Sequence, residues 1–173
     1  MPTNVEVKIR IKGDLEGLRE RAGALAGQPS KLIRQEDTFF RTPRGRLKLR
    51  VPDTGSAELI YYERTNGPGP KPSVYIVARV DDPAALKAVL SAALGVRGVV
   101  RKQRELFLAG NTRIHLDDVE GLGSFLELEV VLSDSDAPAP ASQRCLELMN
   151  LLGAREGDLV ECAYIDLLEG HAR

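Results

Sequence analysis

The chain has 173 residues, and its 24 Lys and Arg nearly balance 25 Asp and Glu, for a formal net charge of −1. That balance excludes a bulk nucleic-acid binder, which carries a basic excess, and 43% hydrophobic with 28% charged residues describes an ordinary globular core rather than a disordered chain. No stretch approaches the roughly 20 apolar residues of a membrane helix and the N-terminus has no apolar signal region, so the expectation is a cytoplasmic protein without membrane contact.

Alternation dominates the chain. Over residues 5–11, Val5, Val7, Ile9 and Ile11 alternate with Glu6, Lys8 and Arg10, which gives a strand one apolar and one charged face. Asp14 is placed to cap a helix carrying Leu15, Leu18, Ala22 and Leu25, and Gly27 closes it. A second extended region starts near Asp37, breaks at Pro43-Arg44-Gly45 and resumes over residues 46–51. Residues 57–64 and 74–80 form further strands around the loop Asn66-Gly67-Pro68-Gly69-Pro70. Asp82-Pro83 opens a second helix, with Leu86, Val89, Leu90 and Leu94 on its apolar face and Gly95 at its end.

Three more strands fall at 98–108, 112–117 and 124–132, the first two joined at Gly110-Asn111. Residues 134–142, with Ala-Pro-Ala-Pro, have the composition of a linker. A helix around 143–152 and a final helical segment near 158–168 follow. The pattern predicts one α+β domain over residues 1–173. Its sheet is antiparallel and closed or strongly curved, and the C-terminal helical segment, about 143–168, packs on it. Cys145 and Cys162 have no metal-type spacing and are expected as buried free thiols. Met149 belongs to the core, and His171 to a terminal tail.

Residues i and i+2 of a strand share a face, so parity decides which charges converge. Glu6, Lys8, Arg10 and Lys12 share one face, as do Arg44, Arg46, Lys48 and Arg50. Lys102 pairs with Arg104, Arg113 with His115 and Asp117, and Glu127 with Glu129. These faces either lie on the solvated outside of a sandwich or line the lumen of a barrel whose apolar faces meet the helices. Nearly pure charge on five strands, with like charges at i+2 spacing, calls for an ionic partner. In a lumen, the cations would hold a phosphate chain through charge-assisted hydrogen bonds. Glu6, Asp117, Glu127 and Glu129 would hold Mg²⁺ or Mn²⁺. His115 would then be a lumen hydrogen-bonding residue, or an acid or base.

Several segments occur in the order of one known family. They are Asn4-Val5-Glu6-Val7-Lys8, Asp37-Thr38-Phe39-Phe40, Gly45-Arg46-Leu47-Lys48-Leu49-Arg50, Tyr61-Tyr62-Glu63-Arg64, Val100-Arg101-Lys102-Gln103-Arg104-Glu105, and the stretch from Thr112 to Glu129. From Asn4 to about Leu168 the chain resembles the CYTH family, the triphosphate tunnel metalloenzymes that include class IV adenylate cyclases and thiamine or inorganic triphosphatases. The resemblance implies an eight-stranded antiparallel closed β-barrel, a triphosphate tunnel with helices packed outside. It implies Glu6, Glu127 and Glu129 as ligands of Mg²⁺ or Mn²⁺, with Asp117 close by. Lys8, Arg46, Lys48, Arg64, Lys102, Arg104 and Arg113 match the phosphate-binding cations, and Arg10, Arg50 and Arg79 match a looser part of the pattern.

Two positions depart from the family. Asn4 stands where the first glutamate of a Glu-x-Glu-x-Lys signature is common, and Phe39 stands where many relatives carry tyrosine. The expected activity is metal-dependent hydrolysis of the terminal phosphate of tripolyphosphate, ATP or thiamine triphosphate. One alternative is a cyclase forming cyclic AMP and pyrophosphate from ATP, and a second is a non-catalytic module binding polyphosphate or nucleotide. The chain is expected as a monomer or homodimer.

Overall fold

Alternating charged and apolar side chains become eight strands in the computed structural model, which describes residues 2–133 and 135–170. The strands are β1 (Thr3–Arg10), β2 (Lys31–Phe40), β3 (Arg46–Pro52), β4 (Ala57–Glu63), β5 (Lys71–Val80), β6 (Val96–Ala109), β7 (Thr112–Val119) and β8 (Gly123–Val131). They pair antiparallel in the order β1-β5-β4-β3-β2-β6-β7-β8, and β8 returns to β1 to close a barrel. Closure leaves no open sheet edge.

Four helices sit outside: α1 (Leu15–Ala26), α2 (Pro83–Leu94), α3 (Pro138–Leu152) and α4 (Tyr164–Leu168). The Asp14 carboxylate accepts from the Gly17 N–H at 2.8 Å to start α1. Gly27 ends it in the left-handed region, with φ 65°. Asp82 does the same for α2 through the Ala85 N–H at 2.9 Å, and Pro83 supplies the preset φ of the first helical position.

The main core lies between the outer faces of the barrel and the helices α1 and α3. Val5, Val7 and Ile9 of β1, Ile114 and Leu116 of β7, and Leu126 and Leu128 of β8 pack against Leu18, Ala22, Cys145, Leu148 and Leu152. Each large aliphatic side chain buried there contributes about 1.5–3 kcal/mol. A second cluster closes one end of the barrel. There Ala163, Tyr164 and Ile165 pack onto Phe39, Val100, Val119 and Phe125. Gly98 permits this approach, because a Cβ at that position would lie 2.6 Å from Ile165 Cδ1.

Three regions differ most from expectation. β2 starts at Lys31 rather than near Asp37, and its first half is sustained by ladder pairing with the long β6, from Lys31↔Leu106 onward, while Leu32 stays exposed. α3 starts at Pro138, inside the stretch expected to be a linker. Both prolines fall in the first turn, where backbone N–H groups have no intrahelical partner to lose. The segment near 158–168 is not one helix: a 3₁₀ turn at Glu156–Asp158 and the short α4 flank an extended stretch. His171 lies outside the described residues. No helix among the described residues is long and apolar enough to cross a membrane.

A charged tunnel as the candidate functional site

The charged faces point inward. A cavity of about 250 Å³ in the lumen is lined by Glu6, Lys8, Lys48, Arg50, Arg64, Lys102, Arg104, Arg113, Glu127 and Glu129, together with Asp37 and Asn4. Of the two arrangements that parity allows, the barrel lumen is the one present. Register brings opposite charges together across neighbouring strands: Lys8 faces Glu127, Arg104 faces Asp117, and Asp37 faces Arg50.

The best-satisfied carboxylate is Asp117, whose side chain is wholly buried. It accepts from Lys102 Nζ at 2.8 Å, from Arg104 Nε and Nη2 at 2.6 Å each, and from the Tyr164 hydroxyl at 2.9 Å. Burial opposes its ionisation, but Arg104 and Lys102 overcome this and hold the carboxyl below the usual range. Asp117 thus stands behind the lining and aims two cations into the lumen. Glu127 accepts from Lys8 at 2.7 Å and Arg104 at 2.7 Å. It too is held well below the usual range, since Lys8 and Arg104 outweigh its burial. Burial and the neighbouring Arg104 push Lys102 down to about 8.

Asp37 anchors the opposite wall. It accepts from Lys48 at 3.0 Å and from Arg50 Nε and Nη2 at 2.9 and 3.0 Å. Residue-by-residue reading did not single Asp37 out for the site. The available signal was its parity with Gln35 and Phe39, which places it on the lumen face.

Glu6 contacts Arg64, yet burial still raises its carboxyl above the usual value. Arg64 is almost completely buried, and its Nε and Nη2 have no hydrogen-bond partner among the described residues. Asn4 Oδ1 and His115 Nδ1 are likewise buried without a partner. Glu129 is more loosely held, with Arg113 at 3.5 Å and His115 Nδ1 at 3.8 Å.

Not every expected cation reaches this cavity. Arg46 Nη2 donates to Asp166 at 2.7 Å and to Asn66 at 2.9 Å, so it braces the closed end instead. Arg10 donates to the Leu122 carbonyl at 2.8 Å and lies over the Phe125 ring. Arg79 is exposed and pairs in register with Glu58. Arg50, from the looser group, does line the cavity.

Tyr164 was missed, because a short C-terminal helix carries no sequence mark of reaching a distant lumen. Its ring lies 3.6 Å from Lys8 Nζ and 4.8 Å from Lys102 Nζ. Ile60, Tyr62, Tyr75 and Val77 give the β4–β5 wall an apolar character. Cys145 and Cys162 are free and buried, and burial pushes the Cys145 thiol up to about 12.

A closed antiparallel barrel whose lumen is lined by carboxylate-braced Lys and Arg is a charged tunnel. The chain belongs to the CYTH family, whose domain it matches over residues 2–164. It is 27% identical to a candidate adenylate cyclase of Methanocaldococcus jannaschii, covering 94% of this chain and 98% of that protein. The solved structure of the PH1012 protein from Pyrococcus horikoshii is similar at a TM-score of 0.84 and 27% identity, over 95% of this chain and 98% of that one. A candidate adenylate cyclase from Vibrio parahaemolyticus shares the fold at a TM-score of 0.77 and 21% identity, over 96% and 97% of the two chains.

Proposed function

We propose that the protein is a divalent-metal-dependent enzyme that hydrolyses the terminal phosphate of an organic or inorganic triphosphate. The observation that carries this reading is the crowding of lumen cations. Lys102 is pushed down to about 8, and two buried Arg64 nitrogens lack partners. Both conditions are relieved by an anion that accepts several charge-assisted hydrogen bonds. Lys8, Lys48, Arg64, Lys102, Arg104 and Arg113 would hold the phosphate chain, with Arg50 beside them. Arg46, held by Asp166 and Asn66, would brace the closed end rather than touch the phosphates.

The carboxylates fit a hard cation. Glu6 and Glu129 face each other across β1 and β8, a like-charge pairing that is unfavourable without a positive ion between. The unpartnered Asn4 Oδ1 adds a neutral oxygen donor on the same face as Glu6. Glu6, Glu127 and Glu129 would hold Mg²⁺ or Mn²⁺, and Asp117 would serve by orienting Lys102 and Arg104. When bound, the ion supplies charge neutralisation at the phosphoryl oxygens. The protein's own groups then fix the chain of phosphates in line for attack by water, which is most of what phosphoryl transfer asks of an enzyme.

A second reading is an adenylate cyclase, in which the ribose hydroxyl of ATP attacks the α-phosphorus and pyrophosphate leaves. The names of the Methanocaldococcus and Vibrio relatives favour it. So does the apolar wall of Ile60, Tyr62, Tyr75 and Val77, which offers a surface for a base. We place the protein in the cytoplasm, in keeping with its two unpaired buried thiols.

The test is to incubate pure protein with tripolyphosphate, ATP or thiamine triphosphate, with Mg²⁺ or Mn²⁺, and to resolve the products. Orthophosphate release is expected. Cyclic AMP with pyrophosphate would select the cyclase, and binding without turnover across the panel would overturn both.

A further inference from the structure

We propose that His115 is a nitrogen ligand of the divalent ion, completing a site with Glu127 and Glu129 that favours Mn²⁺ or another transition ion over Mg²⁺. The inference rests on the metal reading above and goes beyond its all-oxygen donor set. His115 is 2% exposed, and its Nδ1 has no hydrogen-bond partner among the described residues. That nitrogen faces Glu127 Oε2 at 3.7 Å and Glu129 Oε1 at 3.8 Å. Both distances lie beyond hydrogen-bonding range, so the imidazole is aimed at two carboxylates it does not bond.

The spacing is that of ligands around an ion. One donor atom from each of the three residues lies within 4.8 Å of the other two. With the two His115 edges at 3.7 and 3.8 Å and the third no longer than 4.8 Å, the three atoms lie at most about 2.4 Å from a common centre, close to the bond lengths of divalent ions. The backbone makes this convergence necessary. His115 pairs with Glu127 across β7 and β8, Arg113 pairs with Glu129, and all four share the lumen parity. Glu127 keeps Oε1 on Lys8, while Oε2, which also accepts from Arg104 Nη2 at 2.7 Å, lies 3.7 Å from His115 Nδ1. An imidazole nitrogen suits Zn²⁺, Fe²⁺ or Ni²⁺ best, and Mn²⁺, though the weakest of the transition series, accepts it more readily than Mg²⁺, which selects oxygen and retains its waters.

The experiment uses the full chain with metal alone and no nucleotide. Mn²⁺ bound to wild-type protein is examined by pulsed electron paramagnetic resonance, and Mn²⁺ and Mg²⁺ affinities are measured by calorimetry. The chain has only two histidines, so [¹⁵N]histidine labelling in a His171→Gln background assigns any nitrogen coupling to His115. The expected results are a histidine nitrogen coupling and, in His115→Ala, Mn²⁺ affinity lowered at least about tenfold with Mg²⁺ affinity changed far less. Bound Mn²⁺ without nitrogen coupling would overturn the inference even if the variant fails to fold, as would an unchanged ratio of the two affinities. Triphosphate turnover without nitrogen coupling refutes only this inference. Nitrogen coupling without any turnover refutes the proposed reaction and leaves the metal site standing.

Discussion

Replacing Asp117 by asparagine removes one charge from the most enclosed point of the tunnel. Its carboxylate receives hydrogen bonds from Lys102, from both Arg104 nitrogens and from Tyr164. The amide keeps one acceptor but turns an NH₂ towards donors. Removing one member of a buried ion pair costs about 3–5 kcal/mol. Arg104 retains Glu127 at 2.7 Å, which places the expected loss near the lower end, about 3 kcal/mol. For a domain of this size that corresponds to a fall in melting temperature of roughly 6–12 °C.

The loss should also depend on pH. Without Asp117 the folded-state pKa of Lys102 drops below its wild-type value of about 8, while the unfolded value stays near ~10.4. The unfolded variant then binds more protons than the folded one across that window, so its stability rises with pH. Its deficit relative to wild type narrows from pH 6 to pH 9. Urea unfolding at several pH values measures this directly. A loss below about 1 kcal/mol, or a deficit that widens with pH, would refute the assignment of Asp117 as the brace of the two cations.

Triphosphate binding should raise the Lys102 pKa from about 8. Affinity then falls as pH rises above 8, by at most about tenfold per unit for one proton. Calorimetry in two buffers of different ionisation enthalpy should register proton uptake near pH 8, and an equal heat in both would contradict it. Tyr164→Phe removes the hydroxyl donor to Asp117 at 2.9 Å but keeps the ring over Lys8 and Lys102. A loss of about 1.5 kcal/mol is expected in urea titration. Leu148→Ala empties a fully buried position in the main core and should cost about 2–5 kcal/mol. Triphosphate affinity per folded molecule should not change, since Leu148 packs outside the barrel.

Parity was the legible part of this protein. A two-residue period depends only on neighbouring residues, so Lys8, Lys102, Glu127 and Glu129 are each assignable to the charged face of their own strand before any pairing is known. What alternation could not reveal was which strands meet across the chain. β1 pairs with β8 and β2 with β6, and the first of those long-range choices decides that Lys8 meets Glu127. Arg46 shares the parity of Lys48 and Arg50, yet Asp166 draws it to the closed end. That partner sits 120 positions away. The start of α3 was hidden for the opposite reason: its first-turn prolines have the composition of a linker but the backbone requirements of a helix start.

The cluster of Phe39, Val100, Phe125 and Tyr164 gives the tunnel a direction. With one end stoppered, a linear guest of the kind proposed would enter from the side where Arg113 and Val77 are exposed. Its leading end would then meet Lys8 and Lys102, which lie against the Tyr164 ring. Whatever it trails would stay near the mouth, beside the apolar β4–β5 wall. Such a socket would gauge depth at its floor and identity at its rim.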